Sequence, residues 1–341
     1  MNLRPGNGAC WWCIDPGAPR LGGAAAPQTC ICGVPAARGE CQHGFTMNAI
    51  AAPTRHMRWL LRGSLAAVAA LMASVNLEAQ QRRWIFQLGG PRTDQASVQP
   101  ASLRDRWVEF NSEATGTPVR LHGLWLAQPQ ADAPVMLYLH GARWDLSGSL
   151  QRMQHLHALG FAVLGIDYRG FGRSTAALPS ERSACEDARA AWLWLAQRHP
   201  QARRYLYGHS LGGAIAVHLA AQVDDAAGVV LEGTFTSIPA VFGTLRWGWL
   251  PLVPLITQRF DAARHMPQVR APLLVLHGSD DELIPPGLGR ALFERATSPK
   301  RFLLVQGGSH HDTHVLGQAQ LRDALREHFG LTAAADTQAT A

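Results

Sequence analysis

The sequence predicts an α/β protein with a mostly parallel central sheet and helices on both faces. Three observations predict it. Short, near-continuous apolar runs recur at 135–139, 161–166, 205–207, 229–231, 273–276 and 302–305. Strands apolar at successive positions bury both faces, as parallel sheets do. Helical patterns stand between the runs, near 150–159, 181–198, 211–222, 286–297 and 317–329, and such alternation calls for crossover connections. The third observation is the stretch 205–213, YLYGHSLGG, which reads as strand, sharp turn and helix with G-x-S-x-G at the turn.

Taken in order, residues 1–56 show no amphipathic period and are rich in Gly, Pro, Ala and Cys. Cys10, Cys13, Cys30, Cys32, Cys41 and His43 invite a zinc reading, but their spacing fits no standard finger. The stretch reads as a disordered extension, or as sequence upstream of a true start at Met47 or Met57. Residues 57–79 read as a signal peptide or an N-terminal membrane anchor. Arg55, Arg58 and Arg62 precede a charge-free run of 15 residues from Gly63 to Leu77, and Leu77-Glu78-Ala79 resembles a cleavage site. Fifteen residues are short for a span of about 20. A buried helix is the plainer alternative. By the positive-inside bias, either export reading places the rest on the outer, periplasmic side of the cytoplasmic membrane.

Residues 84–331 form the main domain. Trp107 to Phe110 and Val119 to Leu126 read as antiparallel strands around the turn signal Gly116-Thr117-Pro118. The apolar runs and helices follow, with a short lid at about 234–270. Residues 332–341 read as a disordered tail.

Net charge is +6, and Lys300 is the only lysine. The arginines are scattered without interleaved aromatics, which argues against nucleic-acid binding. Only Cys185 lies beyond residue 41, so disulfides do not staple the main domain.

The chemistry centres on Ser210. Gly208 and Gly212 let strand and helix approach closely while the turn projects the hydroxyl. A serine needs a base, and the base an orienting acid, in the chain order Ser, acid, His. The run 273–276 ends in His277-Gly278-Ser279-Asp280-Asp281-Glu282, and 302–305 leads into Gly307-Gly308-Ser309-His310-His311-Asp312. Both loops leave the carboxyl ends of strands, where open α/β sheets carry their sites. Amides of Leu211 and of Ala142, in the loop His140-Gly141-Ala142-Arg143-Trp144, would form an oxyanion hole.

These motifs resemble the α/β-hydrolase superfamily and, within it, the Bem46-like and serine aminopeptidase (S33) hydrolases. The resemblance runs from about residue 84 to 329 and covers QQRRWIFQ after the hydrophobic segment, LYLHGARWDLSG, DYRGFGRS, YGHSLGG, LEGTFTS, VLHGSDDELIPP and GGSHHD. It implies an α/β-hydrolase fold and a triad of Ser210, Asp281 and His310, with Asp280 and His311 as runners-up. Many relatives read HGN where this chain has His140-Gly141-Ala142, a departure at the oxyanion loop. Trp144, and Trp247 and Trp249 of the lid, are the candidate substrate-binding residues.

Asp167 reads as a loop former, His209 as packing, Glu232 as structural, and Trp192, Trp194 and Leu195 as core. His310, His311 and His314 lack supporting acid or cysteine spacing, so no metal is expected, and no cofactor. The expected function is hydrolysis of carboxylic esters, on acyl or other apolar substrates. A thioesterase (relatives include protein depalmitoylases) or a peptidase is the enzymatic alternative. A catalytically inactive binding protein is the alternative from another class. Oligomeric state and physiological substrate are not legible.

Overall fold

The computed structural model describes residues 55–87 and 102–331. The cysteine-rich stretch, the alternative start at Met47 and the tail at 332–341 lie outside the described residues. The described residues from Arg58 onward form one compact unit.

A long helix, α1 (Arg55–Phe86), comes first. The strands are β1 (Leu103–Asn111), β2 (Pro118–Leu126), β3 (Val135–Leu139), β4 (Ala162–Ile166), β5 (Arg204–His209), β6 (Ala226–Glu232), β7 (Leu273–Gly278) and β8 (Lys300–Val305). They form one sheet in the order β1-β2-β4-β3-β5-β6-β7-β8. Strand β2 is antiparallel to both β1 and β4, and every later pairing is parallel. The hairpin turns at Gly116, whose φ of 69° is a left-handed value that glycine adopts without strain.

The helices are α2 (Leu150–Ala158), α3 (Glu181–Arg198), α4 (Leu211–Ala220), α5 (Ile238–Thr244), α6 (Ala262–His265), α7 (Pro286–Arg295), α8 (Thr313–Leu316) and α9 (Gln318–Phe329). A capping box starts α3: Ser180 Oγ accepts from the Ser183 amide, and Ser183 Oγ accepts from the Ser180 amide.

The apolar runs are continuous because the sheet has two cores. Leu137, Leu139, Leu206, Leu231 and Val275 join Trp192 and Leu195 of α3 and Ile215 and Leu219 of α4 on one face. Met136, Tyr138, Tyr205, Tyr207, Val230 and Leu274 point the other way, toward Met153 and Leu156 of α2 and Leu321, Leu325 and Phe329 of α9. Successive side chains leave opposite faces of a strand, so one short run fills both layers.

Helix α1 runs unbroken through Leu77-Glu78-Ala79. Trp59, Leu60, Val68, Leu71, Met72 and Val75 are exposed, whereas Ile85 and Phe86 are buried. Among the described residues, this is the one helix long and apolar enough to cross a membrane. Between β6 and β7 the expected lid is short: α5, a one-turn 3-10 segment at Val253–Leu255, α6 and a second such turn at Met266–Gln268.

The Phe329 ring seals the second core, 5.5 Å from the Tyr205 ring, while its carbonyl accepts from Arg203. Phe329→Ala is expected to cost about 3–5 kcal/mol, read by urea unfolding. A loss below about 1 kcal/mol would show that α9 contributes little to this core.

Candidate active site

Ser210 sits between β5 and α4 with φ 55° and ψ −120°, a conformation that strains any residue with a Cβ. Its neighbours hold it there. The Ser210 amide donates to the Glu232 carbonyl (2.9 Å), while its own carbonyl accepts from Gly213 N (2.9 Å) and Thr234 Oγ1 (3.0 Å). The flanking glycines are sterically required. A Cβ on Gly212 would lie 2.1 Å from the Leu139 carbonyl oxygen, and one on Gly208 would lie 2.4 Å from the Gly212 carbonyl oxygen.

Ser210 Oγ lies 3.0 Å from His310 Nε2, and His310 Nδ1 lies 2.8 Å from Asp281 Oδ2. Asp281 Oδ1 accepts from the amides of Leu283 (3.1 Å) and Ile284 (2.8 Å). Burial alone would raise the Asp281 carboxyl. Hydrogen bonds from His277 and His310, and the charge that His310 can carry, outweigh it and hold the group far below the usual carboxylate range. An ionised Asp281 fixes the proton on His310 Nδ1 and leaves Nε2 free to accept from the serine hydroxyl.

The runners-up are not part of this hydrogen-bonded chain. Asp280 is exposed and accepts from the Ser279 hydroxyl. His311 is exposed beside Trp144, with ring centroids 5.6 Å apart. The Asp167 carboxylate is engaged by the Leu146 amide (2.9 Å) and by His122 Nδ1 (3.1 Å).

A small cleft of about 80 Å³ opens over Ser210, lined among others by Gly141, Ala142, Trp144, Leu283 and His311. The loop bearing Ala142 passes close beside the serine, since a Cβ on Gly141 would lie 3.1 Å from Ser210 Cβ. Leu211 opens α4, where the first four amides have no partner within the helix. Trp247 and Trp249 do not line this cleft; they are 58% and 75% exposed. No residue between 234 and 270 lines it. The expected tryptophan cover is thus not formed: beyond α5 the connection runs in short turns, and Trp247 and Trp249 are exposed to solvent.

Two supports escaped the sequence reading. The first is Arg152 of α2, a buried arginine whose Nε donates to Glu232 Oε2 (3.0 Å) and whose Nη2 donates to the carbonyls of His310 (3.3 Å) and His311 (3.0 Å). Tyr207 donates to the same Glu232 oxygen (2.7 Å), and His209 Nε2 donates to the His310 carbonyl (3.2 Å). Burial would raise Glu232, but the charge of Arg152 outweighs it and holds the carboxyl down at about 2. Glu232 and His209 therefore support the histidine loop from beneath. The signal was helical register, because Arg152 shares the buried face of α2 with Met153 and Leu156.

The second support is the end of α1. Arg143, directly after Ala142, holds φ 83°. Its amide donates to the Phe86 carbonyl (3.0 Å), and its Nε donates to Gln87 Oε1 (2.8 Å). Phe86 is wedged against Phe171 and Phe260, with centroids 6.2 and 5.8 Å away. Nothing in the spacing of 57–87 foretold a contact with residue 143, more than fifty residues on.

Residues 130–260 and 257–315 match the family described as serine aminopeptidase, S33. An uncharacterized protein of Mycobacterium tuberculosis is 37% identical over 274 residues, covering 78% of this chain and 94% of that protein. The lysophosphatidylserine lipase ABHD12 of Danio rerio is 32% identical over 189 residues, and the match covers 50% of this chain and 49% of the lipase. Among solved structures, the Pyrococcus furiosus esterase Pf2001 superposes with a TM-score of 0.57 at 18% identity, over 71% of this chain and 100% of that one. Est1E from Butyrivibrio proteoclasticus, with ferulic acid bound, gives 0.54 at 16% identity, over 66% and 100%. At these identities the structural matches speak to the fold.

The buried pair yields a prediction. Arg152→Met leaves Glu232 without its counter-charge and is expected to lose about 3–5 kcal/mol at neutral pH. Because folding lowers the Glu232 carboxyl from 4.5 to about 2, its contribution is complete above pH 4.5 and disappears as pH falls through 2. That acid-dependent loss should be missing in the variant. Urea unfolding of both proteins across this pH range reads it, and parallel pH curves would remove the pair from the account.

Proposed function

Because the chain belongs to the serine aminopeptidase (S33) family of the α/β-hydrolase superfamily, and so is a hydrolase of esterase- and lipase-like kind, we propose that it cleaves carboxylic esters through an acyl-enzyme on Ser210. One observation carries this reading: the hydrogen-bonded chain from Ser210 Oγ through His310 to Asp281, at 3.0 and 2.8 Å, on a serine held at positive φ. In the proposed cycle His310 Nε2 takes the Ser210 proton as the oxygen attacks the ester carbonyl. The amides of Leu211 and Ala142 bind the oxyanion. His310 then protonates the departing alcohol, and a water activated by the same nitrogen releases the acid. Asp281 holds the imidazole in the required tautomer and stabilises the imidazolium without taking its proton.

The substrate we infer is a lipid-like acyl ester. The ABHD12 relatives, lysophosphatidylserine lipases, support it, although the match spans about half the length of those lipases. The exposed apolar length of α1 supports it too, read as a membrane anchor with Arg55, Arg58 and Arg62 on the cytoplasmic side and the hydrolase outside. A thioester would pass through the same acyl-enzyme, and a matched ester and thioester panel separates the two.

Fluorophosphonate treatment followed by mass spectrometry should place one adduct on Ser210. Ser210→Ala and His310→Ala should each lower kcat by about 10⁶-fold, and Asp281→Asn by about 10⁴-fold. Asp280→Asn should leave it nearly unchanged. No adduct on folded protein would overturn the hydrolase mechanism in favour of a binding protein. Gln87→Ala should lower kcat on the order of tenfold with KM little changed, through displacement of Arg143 and the adjoining Ala142 amide. Gln87→Glu, which keeps the acceptor, should restore most of it. An unchanged kcat in Gln87→Ala would show that the Gln87–Arg143 contact does not position the Ala142 amide.

A further inference from the structure

Away from Ser210, α1 and the β6–β7 connection enclose a second pocket of about 250 Å³. Leu77, Trp84 and Ile85 wall it on the α1 side; Phe242 of α5, Leu252 and Leu255 face them. It shares no lining residue with the cleft over the serine, and it is the larger of the two. Its one polar lining residue is Gln81. The side-chain amide of Gln81 is already engaged, donating to the Leu255 carbonyl (2.7 Å) and accepting from the Thr257 amide (2.9 Å). No charged group lines the cavity, so its walls suit hydrocarbon and provide nothing for a headgroup, a sugar or a peptide.

We propose that this pocket seats the acyl chain of a membrane lipid. The inference rests on α1 being the membrane anchor, and the helix itself supplies the argument for the occupant. Upstream of the pocket, α1 is exposed and apolar through Trp59, Leu60, Val68, Leu71, Met72 and Val75. Charge returns at Glu78, Arg82 and Arg83, which marks Leu77 as the edge of the hydrocarbon zone. Leu77 to Ile85 rises about 12 Å along the helix, so the pocket begins at that edge and extends through headgroup depth. An open apolar cavity at that depth faces hydrocarbon on one side only, and a lipid tail bent up from the bilayer fills it. Leu77, Trp84, Leu252 and Leu255 are exposed at its mouth, so a chain enters without passing through the protein. Trp84, half exposed, stands where tryptophan is favoured at membrane interfaces. The seated tail would bridge α1 and the connection, two elements joined here on the polar side by Gln81.

The test uses the full chain in phosphatidylcholine nanodiscs containing a phosphatidylcholine with a diazirine near the end of one acyl chain. After illumination, mass spectrometry should find cross-links on residues 59–76 and, separately, on 77–85 and 238–256. Leu255→Asp places a charge at the mouth, and Leu252→Trp fills the cavity. Each alters an exposed position, and each should abolish the second set of links while leaving the first. Links confined to 59–76 would overturn the pocket while leaving the anchor standing. Links on neither set would overturn both. Pocket links undiminished in both variants, at unchanged melting temperature, would also overturn it. Labelling of the pocket by a diazirine fatty acid added from water, but not by the nanodisc lipid, would overturn the bilayer as the source. Fluorophosphonate labelling of Ser210 in the same samples reports the hydrolase reading independently, because cross-linking requires no turnover.

Discussion

A residue with a Cβ leaves the usual backbone regions only where its surroundings compel it, at a cost of order 1–3 kcal/mol. Ser210 is so compelled. Its amide is tied to β6 through Glu232, its carbonyl is bonded by Gly213 and Thr234, and the helix behind it presses glycine against the β3 carbonyls. The rest of the structure serves this turn. Strands β3, β5 and β6 set its position, and the two cores on either face of the sheet supply the burial that offsets the strain. The loops after β7 and β8 then bring Asp281 and His310 to a hydroxyl that cannot relax away.

The histidine loop is braced from below by charge. Arg152 reaches across from α2 to bond the carbonyls of His310 and His311, and Glu232, itself bonded by the Tyr207 hydroxyl, holds the arginine in turn. A buried ion pair adds little net stability compared with apolar packing, but removing one member is expensive. This pair does positional work: a guanidinium with several fixed donors can orient two successive carbonyls and a carboxylate together. The loop bearing Ala142 is braced from the opposite side, by Phe86 at the end of α1 and the following Gln87 acting on Arg143. One helix therefore presents an apolar length to its surroundings, walls an apolar pocket, and props the loop beside Ser210.

The contrast between Trp144 and the pair Trp247 and Trp249 marks where pattern reading fails. All three looked suited to lining a substrate cleft, yet only Trp144 lines the cleft over Ser210. It follows a short strand by a few residues, so strand geometry delivers it to the sheet edge. The other two lie in a stretch of turns with no period to orient them, and its path depends on what it packs against.

Local pattern determined the strands, most helices, the turn at Ser210 and the two loops that meet it. Each is written in contiguous residues: apolar runs for strands buried on both faces, G-x-S-x-G for the turn, and acid- and histidine-bearing loops at strand ends. That the carboxylate meeting His310 comes from Asp281 and not Asp280 came only through family resemblance and was decided in space, by the amides of Leu283 and Ile284 that capture it. Tertiary structure alone decided the Arg152 brace, the grip of Phe86 and Gln87 on Arg143, and the apolar pocket. The physical reason is common to all three. Each joins residues far apart in the chain, and such contacts leave no period or local motif, because they depend on how finished elements pack.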